Sequence, residues 1–216
     1  MHAKQIPLKL ENHRHIYSDF GSRLGAMLLD LLIMCPILIP ILIINSQSMA
    51  LQYYTLFFNL VFGLFYMVYL PKRYGGTPGK LICGLKIVKI DGSDIDWKEA
   101  FLRYSVSFAI AVIMATATLA ALMKADAESF DAMNWLEQTQ YLQSFSPAFQ
   151  TILMWINMAW FLADIIVYFT NDRGRALHDM LGDTVVIRKM YDEKIKEFMK
   201  GEPETIENTQ TDLPSY

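Results

Sequence analysis

Asp30 and Asp164 each interrupt an otherwise apolar run. A carboxylate at the centre of a bilayer costs about 2.5 to 3.5 kcal/mol on insertion scales, so each must face protein or water and find a partner. Arg23 precedes Asp30 by two helical turns on the same face, and its long side chain reaches toward the acid or snorkels toward headgroups. Asp164 sits close to the end of its own run at Phe169. The two acids then fall at similar depth, and two carboxylates sharing a site hold a proton or a cation between them because like charge raises one pKa. Asn157, two turns before Asp164, extends that polar stripe. Asn59, Gly63 and Tyr66 make a second one at four- and three-residue spacing, which turns that face into a bundle. These spacings predict one polar core of Asp30, Asn59, Tyr66, Asn157 and Asp164, with Arg23 setting the carboxylate pKa values. The competing expectation is structural: Arg23 pairs with Asp30, and Asp164 with Arg23 or Arg103, to hold helices together.

The elements that carry these residues are membrane spans. The chain is 53% hydrophobic and only 19% charged, and the charges lie in blocks between apolar runs. Four runs, residues 24–44, 53–70, 104–123 and 149–169, reach the length of about 20 residues needed to cross a hydrocarbon core. The first is too long for a signal-peptide core and is followed by no small-x-small cleavage site, so it reads as a retained anchor. All Lys and Arg residues except Lys124 fall in the N-terminal segment, the connection after the second run, or the C-terminal segment. By the excess of positive charge on the cytoplasmic side, that predicts an inner-membrane, multi-pass protein with both termini cytoplasmic. The expected fold is an all-α integral membrane protein, a four-transmembrane-helix bundle with a small cytoplasmic β element. A polar segment (1–16) and a charged tail (191–216), read as a short helix from Tyr191 that fades into disorder, flank a transmembrane domain at 17–190. Net charge −3 excludes a nucleic-acid binder. Cys35 and Cys83 fall in different environments, which excludes a disulfide scaffold.

The connections carry their own signals. Residues 85–90 are β-rich, Asp91-Gly92 is a hairpin turn, and Ile95 begins a possible return strand. Residues 184–187 offer a matching strand, so a small sheet should tie the second helix to the fourth. Asp96 with Glu99 reads as a capping box for the third helix. Residues 125–146 are acidic, with aromatic and aliphatic side chains at helical spacing, which predicts an interfacial helix or, more sharply, a lid. The run Gly75 to Lys80 lacks the hydroxyl residue and spacing of a phosphate loop and reads as a turn. His2, His13 and His15 lack further ligands at metal spacing. No nucleophile stands with a base, so neither an enzyme nor a cofactor is expected.

Several blocks together carry a resemblance. Arg23-Leu24-Gly25-Ala26 with Asp30, Gly76-Thr77-Pro78-Gly79-Lys80, Gly84-Leu85-Lys86-Ile87-Val88, Asp91-Gly92, Trp97, Ala100, Arg103, Arg175-Ala176-Leu177-His178-Asp179 and Thr184-Val185-Val186 are similar to the RDD family of small membrane proteins. The family is named for an arginine and two aspartates. Arg23 and Asp30 match the first two, and Asp179 or Asp164 the third. The resemblance implies transport of the cation/proton antiporter kind, with Arg175, His178, Asp179 and Thr184 at the cytoplasmic mouth.

Two functions follow as expectations. One is a monovalent cation/proton exchanger, homo-oligomeric because four helices enclose little volume, with Asp30 and Asp164 as carriers and Asn59 and Asn157 as neutral ligands. The other is a non-transporting scaffold or accessory subunit in which the same charges lock the bundle to its sheet.

Overall fold

The computed structural model describes residue 6 and residues 16–200. The N-terminal histidines and the last sixteen residues, which the sequence assigns to polar tails, lie outside them. Four stretches are long and apolar enough to cross a membrane: α1 (Phe20–Asn45), the stretch that opens with α2 (Met49–Leu64) and runs on to Ile82, α5 (Trp97–Leu122) and α8 (Pro147–Thr170). Each begins before the apolar run that marks it. Polar first turns belong to the helix, because side-chain caps satisfy the amides there: Asp19 accepts from the Ser22 amide and Ser48 from the Leu51 amide. At α5 the Glu99 carboxylate accepts from the Asp96 amide at 2.9 Å, half of the expected capping box.

The second stretch changes winding before it ends. After α2 come a π-helical turn (Phe65–Tyr69), α3 (Leu70–Tyr74), and a break at Gly75, whose φ of 82° is left-handed and suits glycine. α4 (Pro78–Ile82) then folds back against α1. Gly79 makes that contact possible, since a Cβ there would collide with the Ala26 carbonyl oxygen and lie 2.7 Å from the Asp30 carboxyl carbon.

β1 (Leu85–Lys89) pairs antiparallel with β2 (Thr184–Arg188), from Leu85 opposite Arg188 to Lys89 opposite Thr184. The two-stranded sheet thus joins the segments that follow the second and fourth spans, as their β-rich patterns suggest. The return strand expected at Ile95 reduces to one bridge between Val88 and Asp94. β2 supplies the longer apolar partner. Alternation sorts the sheet's side chains. Leu85, Ile87 and Val186 pack with Ala26, Val68, Ile95 and Ala100 of the helices, whereas Val88, Val185 and Ile187 pack on the opposite face with Ile6, Ile16 and Tyr17.

That second face also seats the short helix expected after residue 190. Tyr191 and Ile195 are 8% and 1% exposed, four residues apart on one face, and α10 (Asp192–Lys200) docks through them on the sheet. Lys86 fixes its start through Asp192 at 2.6 Å. At the other end of the bundle, α6 (Ala127–Asp131) and α7 (Trp135–Ser144) do not merely lie flat. Phe130 and Leu142 bury against Ala121 and Leu122, and Met49, Tyr53 and Leu56 pack around them. The Asp131 carboxylate accepts from the Met49 amide at 2.7 Å, capping α2. Thus the pair closes the ends of α2 and α5.

Gly79→Ala should destabilise the protein by about 1–3 kcal/mol or more through overpacking. Gly84→Ala, where a Cβ meets open space at φ 67°, should cost only the left-handed backbone strain of roughly 1–2 kcal/mol. Thermal melts of the two purified variants check the order. Equal melting temperatures would contradict the α1–α4 contact.

Candidate functional site

At the end of the bundle that carries the sheet, the charged residues sort into three linked nodes. The first is built on Asp30, whose carboxylate is 8% exposed on α1. It accepts hydrogen bonds from Tyr66 Oη at 2.6 Å, Thr77 Oγ1 at 2.6 Å and the Gly79 amide at 2.7 Å. Three neutral donors satisfy it without an arginine. The Gly76-Thr77-Pro78-Gly79-Lys80 block is therefore a carboxylate cradle, and Lys80 lies in the combined field of Asp30, Asp179, Arg23 and Arg103. The expected pairing of Arg23 with Asp30 does not occur. Although they lie two turns apart on one helix, Arg23 extends away from the bundle interior to the second node.

That node centres on Asp179, fully buried in α9 (Leu177–Leu181). Arg23 Nη1 approaches one oxygen at 2.7 Å, and Arg103 of α5 binds the other. The Ala176 amide donates to the same carboxylate at 3.1 Å, so it also caps its own helix. Arg103 also donates to Thr184 of β2, and Arg175 Nε donates to the Thr184 carbonyl at 2.9 Å. Arg23 is steadied by Ser18 Oγ at 2.7 Å and by the Tyr168 ring, 4.9 Å from its guanidinium carbon to the ring centroid. Burial raises the pKa of Asp179, but Arg103, Arg23 and His178 outweigh it and hold this carboxyl well below the usual carboxylate range.

The third node is a pair. His178 Nδ1 stands 2.8 and 2.9 Å from the two oxygens of Asp164 in α8, and the His178 amide donates to Asp164 at 3.1 Å. His178 Nε2 faces Asp179 at 3.3 Å. The imidazole is thus flanked by carboxylates on both sides. Burial alone lowers its pKa, yet Asp179 and Asp164 together raise it above the ordinary 6.5. The His178 and Asp164 side chains are 29% and 23% exposed, against 0% for Asp179. This is the least buried of the three nodes.

The predicted single polar core is thus divided. Asp30 and Asp164 share neither a proton nor a hydrogen bond, because each has its own donors: Tyr66, Thr77 and Gly79 for one, His178 for the other. Asp164 pairs with neither Arg23 nor Arg103, which both turn to Asp179. Asn59 and Asn157 are exposed and join no node. Arg175, His178, Asp179 and Thr184 do converge. Lys80, Thr77 and Gly79 were missing from the predicted core, although their block is conspicuous in the sequence, since only the fold-back of α4 brings it to Asp30. The α1 and α8 helices meet at this end, where the Phe20 and Phe169 rings lie tilted to each other with centroids 5.0 Å apart. Elsewhere α8 packs mainly on α5 and α9.

Known proteins give a consistent family. The model of the RDD family matches residues 17–183. The uncharacterized protein YckC of Bacillus subtilis (strain 168) is 32% identical over 111 residues, covering 44% of this chain and 67% of that protein. No solved structure matches the chain.

Asp179→Asn should leave two arginines buried without a counter-charge, at a cost of about 3–5 kcal/mol. A collapse in folded yield and melting temperature checks it, and an unchanged melt would remove Asp179 from the centre of the network. His178 gives a pH dependence with a definite sign. Its folded pKa is raised, so its stabilisation is full below about 6.5 and is lost as pH rises through the higher folded value. Melts from pH 6 upward should fall for the wild type and flatten for His178→Gln.

Proposed function

The chain belongs to the RDD family, and on that premise we propose a multi-pass protein of the cell's inner membrane, both termini cytoplasmic, that exchanges monovalent cations for protons. The site of exchange is the His178–Asp164 pair. Supporting this reading is one observation: a titratable imidazole, partly exposed, clamped between a carboxylate at the end of a membrane-spanning helix and a second, fully buried carboxylate. While His178 is protonated, the imidazolium satisfies Asp164. When it loses the proton, Asp164 is left with a neutral neighbour and becomes a ligand for a monovalent cation. The protonated imidazole and the cation then alternate as the counter-charge of one carboxylate, which is the coupling an exchanger requires. The raised pKa of His178 places this alternation above 6.5.

Asp30 has a different role in this proposal. With three donors already on its oxygens, it holds α4 against α1. The positive-inside distribution of Lys and Arg supports the orientation, which puts all three nodes at the cytoplasmic mouth.

A second reading, a non-transporting scaffold or accessory subunit, is favoured by the saturation of Asp30 and Asp179. Both carboxylates are fully engaged in holding elements together, and such a lock needs no flux.

Proteoliposomes with a trapped pH dye separate the two. Pulses of Na⁺, Li⁺ or K⁺ should move protons in the wild type. His178→Gln and Asp164→Asn should each reduce that signal at least about ten-fold, the usual lower range for losing a positioned proton-transfer group, with the melting temperature nearly kept. Asp30→Asn should instead lower the melting temperature. A silent trace from folded wild-type protein across several pH values would refute exchange and favour the scaffold.

A further inference from the structure

Two polar side chains stand outside the charged network. Asn59 in α2 and Asn157 in α8 are both exposed, and neither side chain has a hydrogen-bond partner among the described residues. Their positions match. Each lies ten residues from the start of its helix, Met49 or Pro147, at the end opposite the sheet. That is about 15 Å of rise, the middle of a hydrocarbon core about 30 Å thick.

Both amides also stand one helical turn from a buried position on their own helix. Asn59 follows Thr55 by one turn and precedes Tyr66 by two, and those neighbours are 9% and 4% exposed. Asn157 follows Leu153 by one turn, and that residue is 4% exposed. Each asparagine therefore points where a helix belongs and none of this chain's helices arrives. Only 6% of the most apolar window of α8 is buried within the chain, and none of that of α1. Asn157 lines a groove of about 570 Å³ with Met114, Gln143, Gln150, Met154 and Phe161, among others. An amide without a partner in hydrocarbon costs several kcal/mol, so the membrane forces it to find one.

We propose that the partner is a second copy of this chain, with α2 of one copy entering the α8 groove of the next so that Asn59 and Asn157 pair at the bilayer midplane. An amide carries both donors and an acceptor, so it satisfies its like. The α2 and α8 helices both run toward the sheet end, so copies standing side by side in one membrane bring the two residues to one depth. Polar side chains at that depth are the recognised glue between membrane helices. Because the two faces are different, the contact is head-to-tail.

The inference depends on α2 and α8 crossing the membrane and is independent of whether the protein transports anything. Its test is cysteine crosslinking in native membranes, with Cys35→Ser and Cys83→Ser in the background. Co-expressed Asn59→Cys and Asn157→Cys chains, carrying different tags, should form a mixed dimer on oxidation. Ile152→Cys in place of Asn157→Cys should not. In nanodiscs the wild type should contain more than one copy by mass photometry. Asn157→Leu should weaken that association roughly five- to thirty-fold, the range for one interhelical hydrogen bond, while Asn157→Gln should retain it. The proposal is overturned by single-copy wild-type particles with no mixed dimer. It is equally overturned by an oligomer that both Asn59→Leu and Asn157→Leu leave unmoved, or by crosslinks whose mass is not a multiple of this chain.

Discussion

A carboxylate removed completely from water must be answered, and Asp179 is answered from three directions. Arg23 comes from the first span and Arg103 from the third, and the Ala176 amide comes from the turn of its own helix. Desolvation makes the unpaired charge so costly that these elements are obliged to converge. Their convergence brings Thr184 and its strand under Arg103 and Arg175. The sheet is seated on the bundle through that contact and through the apolar face of Ile87 and Val186. Charge and apolar packing act on one interface, and the second core, with α10, builds outward from it.

The Asp30 node solves the same problem by other means. Neutral donors surround it, two from side chains and one from the backbone of α4, so it contributes no arginine pairing and makes a mechanical joint. A glycine at position 79 is required because the backbone itself comes within hydrogen-bonding distance of the carboxylate. Beside the Asp179 node lies the His178–Asp164 pair, which is less buried. Asp30 and Asp179 thus each hold elements together through several donors, whereas Asp164 has its side-chain partner in a single imidazole.

How much of this could be read beforehand depends on the range of each interaction. The long apolar runs, the capping role of Glu99, the β-rich pair of segments and the Arg175 to Thr184 cluster are local patterns, set by periodicity and by caps within a few residues. The short helix after residue 190 was legible too, but its docking was not, because the burial of Tyr191 and Ile195 against the sheet is a tertiary contact. The polar core failed. Helical spacing correctly put Asn157 and Asp164 on one side of their helix, yet said nothing of which helix would stand opposite.

Four spans, their segregated charges and the family blocks were thus determined by the sequence alone, because hydrophobic length and charge placement act along the chain. The partners of the charges were decided only in three dimensions. Arg23 lies seven residues from Asp30 and 156 from Asp179, yet it binds the distant acid. The fold-back of α4 gives Asp30 closer donors, and complete burial leaves Asp179 no other way to keep its charge.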